Sequence, residues 1–195
     1  MKFSGLAAVL FVCAGTAQAV PTIWTVGSGG NGHSYEAFAV PGGLTWTAAR
    51  NLALAKGGDL ATITSSAENA FIYALIDNPV YWTAPNGSDV VGPWIGGIQA
   101  PGSAEPAGGW GWVTGEPFSF INWSANSPNN NPAVGNENRI DFYGQGATVA
   151  QRQPFWNDAA DADTNIAGYV VEYVPEPGAI SLMAGALFFL RRSRR

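Results

Sequence analysis

The chain has 195 residues, of which 47% are hydrophobic and only 12% charged, with a formal net charge of −5 and a single cysteine. That length and apolar content suit one domain with a real core and exclude a disordered chain. The acidic balance argues against nucleic acid and anionic lipid as partners, and one cysteine cannot form an internal disulfide.

Lys2 precedes an apolar segment from Leu6 to Ala14, and Ala17-Gln18-Ala19 has the small-x-small form of a secretory cleavage site. Residues 1–19 therefore read as a signal peptide, with Cys13 inside it, and the remaining chain has to be held by packing, hydrogen bonds or metal. Residues 20–174 carry Arg50, Lys56, Arg139 and Arg152 against thirteen acidic side chains, a net charge of −9. Residues 20–32 are Gly-rich and match G-x-G-x-x-G at Gly27, Gly29 and Gly32. No apolar strand leads into the match and the alternating segment 33–40 follows it, the reverse of the strand-loop-helix context of a dinucleotide site. The segment is expected as a flexible lead-in.

The first helix is predicted over residues 46–56, with Thr45 as N-cap, Trp46, Ala49 and Ala53 on one face, and Gly57-Gly58 ending it. Asp59 to Ile63 reads as a short strand. Ser65-Ser66-Ala67-Glu68 then has the form of a capping box, opening a second helix to about Ile76 with Phe71, Ile72 and Leu75 toward the core. Beyond Asp77, apolar clusters at residues 91–98, 110–113, 139–143 and 167–173 are separated by long Gly/Pro/Asn loops. Two helices followed by strands indicate an α+β domain.

The chain ends with Val174-Pro175-Glu176-Pro177, thirteen small or apolar residues from Gly178 to Leu190, and then Arg191, Arg192, Ser193, Arg194 and Arg195. The apolar run is shorter than the ~20 residues of a straight transmembrane helix, but flanking arginines can reach the head groups, and they favour a cytoplasmic tip. This layout resembles the PEP-CTERM sorting signal of Gram-negative bacteria. The resemblance implies export to the cell surface or extracellular matrix, transient anchoring in the inner membrane through residues 174–195, and processing by an exosortase-type protease that reads Pro175, Glu176, Pro177, Arg191 and Arg192.

Between these ends, Trp46 with Ala49, the run Gly57 to Ile63, Glu68, Trp94-Ile95-Gly96-Gly97, Trp110-Gly111-Trp112, Thr114-Gly115-Glu116-Pro117, Asn122-Trp123, Pro128-Asn129-Asn130, Trp156-Asn157-Asp158 and Tyr169-Val170-Val171-Glu172 occur in one order. Over residues 33–173 this order resembles a C-type lectin-like domain. The resemblance implies two helices, small antiparallel sheets closed by neighbouring terminal strands, and a long irregular loop region between Trp94 and Phe155. Where the family places a disulfide, this chain has Ala53 and Val171, which are expected to pack together. A second family bridge would begin at Arg139, which has Asp161 or Asp163 as possible partners, although solvated charges are the expectation there.

The resemblance also places Asn129, Glu137, Asn157 and Asp158 on positions that ligate Ca²⁺, with Ser127 where an acidic or amide side chain is usual. Two carboxylates, two amides and a hydroxyl suit the oxygen preference of calcium, and sugar hydroxyls complete such shells. The implied function is carbohydrate or exopolysaccharide binding, with calcium as the candidate cofactor. Asn-rich loops such as Asn129-Asn130-Asn131 also form turns without any ligand, and a structural or protein-binding matrix component with no sugar or metal site is the alternative. Glu116 reads as a turn residue, and Trp110, Trp112, Trp123 and Trp156 as core under the long loop. An enzyme is not expected: His33 is the only histidine, and Glu137 with Asp158 forms no reaction-specific motif.

Overall fold

The computed structural model describes residues 20–175, so the expected signal peptide and the sorting segment beyond Pro175 lie outside the described residues. The elements are β1 (Thr22–Ile23), β2 (Ser34–Ala39), α1 (Trp46–Ala55), β3 (Asp59–Leu60), α2 (Ser66–Ile76), β4 (Asp89–Gln99), β5 (Trp110–Trp112), β6 (Glu137–Gln145), β7 (Phe155–Ala160) and β8 (Gly168–Tyr173). No helix among the described residues is long and apolar enough to cross a membrane.

The strands run in the order β1-β2-β8-β4-β6-β7, with β3 on β8 and β5 on β4. The terminal strands β2 and β8 are antiparallel neighbours from Ser34 opposite Tyr173 to Ala39 opposite Gly168, which closes the domain end to end. Close approach within the sheet requires glycine at position 97, since a Cβ there would stand 2.2 Å from Ile140 Cδ1.

Helix α1 begins where its sequence asks it to: the Thr45 hydroxyl accepts the Ala48 N–H at 3.1 Å, and Gly57 takes a φ of 85° just beyond the end. Its inner face joins Trp94, Val91, Ile166 and Tyr169 in one apolar cluster in which Ala53 and Val171 are both fully buried. The indoles of Trp46 and Trp94 donate to the carbonyls of Ile95 and Leu44, each at 2.8 Å, so two large aromatics are buried without an orphaned N–H. A second cluster packs α2 through Ile72 and Ile76 against Tyr35, Ile63, Ile95, Phe142 and Trp156.

Four readings change here. Glu68 does not return a bond to Ser65, although the Ser65 hydroxyl does accept the Glu68 N–H at 3.1 Å. Its buried carboxylate accepts from Thr64 N, Thr64 Oγ1, Asn31 Nδ2 and, at 2.5 Å, the Tyr35 hydroxyl. Tyr35 also faces Glu172, which accepts from His33 at 2.5 Å and from Thr62 N at 2.8 Å. Buried carboxylates need donors, and this network supplies them from two segments of chain, residues 31–35 and 62–64. For the same reason residues 20–32 are not a flexible lead-in: β1 pairs with β2, Asn31 enters the network, and Trp24 stacks on Phe71 at 5.6 Å. Arg139 is not a solvated charge either, because its guanidinium lies 4.6 Å from the Trp46 ring and 3.4 Å from Asp161, whose carboxylate also holds Thr47 at the start of α1. Strand β7, absent from the predicted elements, pairs with β6 along its length.

Candidate functional site

The long loop is fixed from below by aromatic bulk and from the side by carboxylates. Trp156 is fully buried at the centre of an edge-to-face group with Trp112 and Phe120 at 5.5 Å and Trp123 at 6.0 Å. Its backbone pairs with Asn122 and Ser124, so the strand that carries the site also grips the loop. Trp112 is buried, and Trp110 and Trp123 are half-buried against the same cluster, in keeping with a packing role. Glu116 sits in its turn, accepting from Thr114 Oγ1 at 3.1 Å.

Successive β7 residues face opposite sides of the sheet, and the Asn157-Asp158 pair divides accordingly. Asp158 is fully buried, and its carboxylate accepts the backbone N–H groups of Asn129 at 2.8 Å and Asn130 at 2.7 Å. Glu137 accepts the next N–H, from Asn131, at 2.5 Å, while its own N–H donates to Asn130 Oδ1 at 3.0 Å. Asn130 adopts a left-handed φ of 43°, which bends three consecutive N–H groups toward two carboxylates. Ser127 donates to Asn157 Oδ1 at 2.7 Å. The fold thus brings Ser127, Asn129, Glu137, Asn157 and Asp158 into one neighbourhood, with Asp158 serving as the internal anchor of the loop.

Next to this anchor is a cavity of about 540 Å³, and Asn129, Glu137 and Asn157 line it. Its remaining wall includes residues that the sequence did not mark as ligand-binding: Asp89, Asn131, Tyr143, Asp163 and Asn165, with Val91, Val134 and Ala159 as apolar surface. Tyr143 donates to Asp89 across the wall. A carboxylate at 141 within the apolar cluster 139–143 was the visible signal that this face of β6 is not ordinary core.

Burial pushes the Glu137 carboxyl up to about 7, against the lowering effect of the Asn131 N–H and with the help of the Asp158 and Asp163 charges. Burial raises Asp158 as well, opposed by the Asn130 and Asn129 N–H groups. Because Glu137 holds its proton to higher pH when folded than the 4.5 of the free group, the folded state binds more protons between these values and loses stability as pH rises through them. Glu137→Gln, measured in chelator-buffered urea titrations, is expected to be increasingly stabilising relative to wild type from pH 4.5 to about 7, by up to about 3 kcal/mol, and level above that. A difference that does not change with pH refutes the assignment.

Calcium, which the resemblance implies, needs six to eight oxygens free to turn toward it. Here both oxygens of Asp158, one of Glu137 and the amide oxygen of Asn157 are engaged by N–H or O–H donors of the loop itself. Among the described residues no group of three or more acidic, histidine or cysteine side chains is arranged to hold a metal ion. The donor set as folded does not fit the ion.

No family model matches the chain. It is 35% identical over 74 residues to lectin BRA-3 of Megabalanus rosa, covering 38% of this chain and 36% of that one. It is 32% identical over 85 residues to the type-2 ice-structuring protein of Hemitripterus americanus, covering 44% and 42%. The chain thus spans about two fifths of the length of these curated relatives. Among solved structures it resembles a calcium-independent type II antifreeze protein, with a TM-score of 0.52, 21% identity and coverage of 82% of this chain and 98% of the other. It resembles the C-type lectin CEL-I from Cucumaria echinata equally, with a TM-score of 0.52, 21% identity and coverage of 74% and 91%. The fold is C-type lectin-like, α+β, and built without disulfides.

Proposed function

We propose that this chain binds carbohydrate, without calcium, in the cavity beside the long loop. The observation that carries the reading is the convergence of Asn129, Asn131, Glu137, Asn157 and Asp163 on a cavity that also offers Val91, Val134 and Ala159. Such a mixture suits a sugar: amides and carboxylates take hydroxyl hydrogen bonds in fixed directions, while a ring face packs on apolar wall. The partial likeness to a lectin supports it. The calcium-independent antifreeze neighbour supports the view that such a fold stands without the ion.

Glycan-array binding in the presence of chelator, and again with millimolar Ca²⁺, tests both parts. Binding unchanged by the ion is expected, and so is an unchanged melting temperature, since a ligand held only by the folded state would raise it. Binding that appears only with Ca²⁺ overturns the metal-free reading. If no glycan binds in either condition, the structural or protein-binding matrix component takes its place. Asp158→Ala is expected to cost about 1–3 kcal/mol by releasing the Asn129 and Asn130 N–H groups, and to weaken glycan binding at least about tenfold as the loop loses its shape. Urea denaturation and calorimetric titration of the variant check the two effects.

The proposed location is the cell surface or extracellular matrix. Its support is the sequence alone: the signal peptide over residues 1–19 and the sorting segment over residues 174–195, with an exosortase-type protease as the processing partner. Removing residues 174–195 is expected to shift the protein from the cell envelope to the medium in fractionation.

A further inference from the structure

More carboxyl groups gather at the cavity than the described residues pair with cations, and burial pushes two of them, Glu137 and Asp141, toward their protonated forms. Asp89, Glu137 and Asp163 line it. Asp141 lies beneath the same wall: it is two residues from Tyr143 on β6 and directly opposite Asn157 on β7, and both of those line the cavity. Residues two apart on a strand, and directly paired across strands, share one face, so the Asp141 carboxylate is directed to the cavity side of the sheet. It is fully buried, and neither of its oxygens has a hydrogen-bond partner. Buried carboxylates are ordinarily matched by a cation or by N–H donors.

The described residues supply no such cation: among them no lysine, arginine or histidine lines the cavity. Among the described residues, Arg50 pairs with Asp59, Arg139 with Asp161, Arg152 with Asp77 and His33 with Glu172, and Lys56 lies over the Phe38 ring. A compact metal ion does not answer the need, because among the described residues no three acidic side chains are arranged to hold one. What remains is charge spread around a space of about 540 Å³, the size of a small organic ligand.

We propose that the cavity takes a sugar bearing a free, protonated amine, the ammonium group facing Glu137 and Asp163 above the buried Asp141 carboxyl, and the ring lying against Val91, Val134 and Ala159. An ammonium carries three donors and one positive charge, which matches separate carboxylates each with an oxygen to spare. N-acetylation of the same sugar abolishes the charge and leaves one amide donor. The inference rests on the carbohydrate reading and narrows it to deacetylated hexosamine units.

Calorimetric titration of the full chain at pH 7 in chelator, with a glucosamine oligosaccharide and its fully N-acetylated counterpart, tests it. The free-amine oligosaccharide is expected to bind about tenfold or more tightly, the worth of one charge-assisted hydrogen bond. Asp141→Asn and, on the more accessible loop, Asp163→Asn are each expected to shrink that ratio several-fold. Equal binding of the two oligosaccharides, or a ratio that neither substitution changes, overturns the ammonium site while leaving carbohydrate binding intact. Absence of binding by both, together with a blank glycan array, removes the carbohydrate reading and the ammonium site with it. Free lysine competing as well as the oligosaccharide, mole for mole, also overturns the proposal, because the ring would then contribute nothing.

Discussion

Val171→Asp is expected to lose about 4 kcal/mol or more of folding stability, enough to leave much of the population unfolded if the domain is as marginal as most. Val171 is fully buried on β8, paired with Glu36 on β2 and with Leu60 on β3, in the cluster that receives α1 through Ala49 and Ala53. The side chains of that cluster are apolar and Val171 is fully buried among them, so a new carboxylate there is taken out of water. Val171→Ala provides the graded comparison: it removes two methyl groups without adding charge and is expected to cost about 2 kcal/mol. Urea denaturation followed by circular dichroism measures both. If the aspartate variant unfolds at the wild-type midpoint, the apolar replacement for the missing disulfide is wrong.

Trp156→Ala is expected to cost about 3–5 kcal/mol and to weaken ligand binding in the same step. The indole is enclosed by Trp112, Phe118, Phe120 and Trp123, and its N–H donates to Asn69 Oδ1 at 2.8 Å, a link from β7 to α2. Removing it leaves a large cavity and an unpaired amide oxygen beneath residues that end one position before Asn157 and two before Asp158. Hydrogen exchange should report lost protection at Ser124 N, which donates to the Trp156 carbonyl at 2.8 Å. Trp156→Phe keeps most of the bulk and is expected to retain the loop at a smaller cost. Unaltered exchange in the alanine variant would separate the loop from the aromatic cluster and sink this account.

Local chemistry explains what was readable in advance. Thr45, the spacing of Trp46, Ala49 and Ala53, and Gly57 act within a turn or two of helix, so α1 is legible from its own residues. The same holds for the Ser65 cap of α2. The ordered series of Trp, Gly and Asn motifs carried the fold and brought Asn129, Glu137, Asn157 and Asp158 into one neighbourhood. Strand β7 escaped notice because Asn157, Asp158, Ala159 and Ala160 give no apolar alternation: Ala159 joins the apolar core, but the Asp158 carboxylate is held by the N–H groups of the loop.

The sequence by itself determined the helix boundaries, the α+β class and the absence of an internal disulfide, because these follow from propensity, patterning and composition; the loop carboxylates were picked out by the family resemblance of the motifs around them. Only the tertiary structure decided what those carboxylates do. Whether Asp158 and Glu137 face a cation or the N–H groups of Asn129, Asn130 and Asn131 depends on a left-handed bend at Asn130 and on segments about thirty residues apart meeting in space. The partner of Glu68, the packing of residues 20–32 and the isolation of Asp141 were decided in the same way. A buried charge takes its role from whichever donors the folded chain carries to it, and that distance information is not written in neighbouring residues.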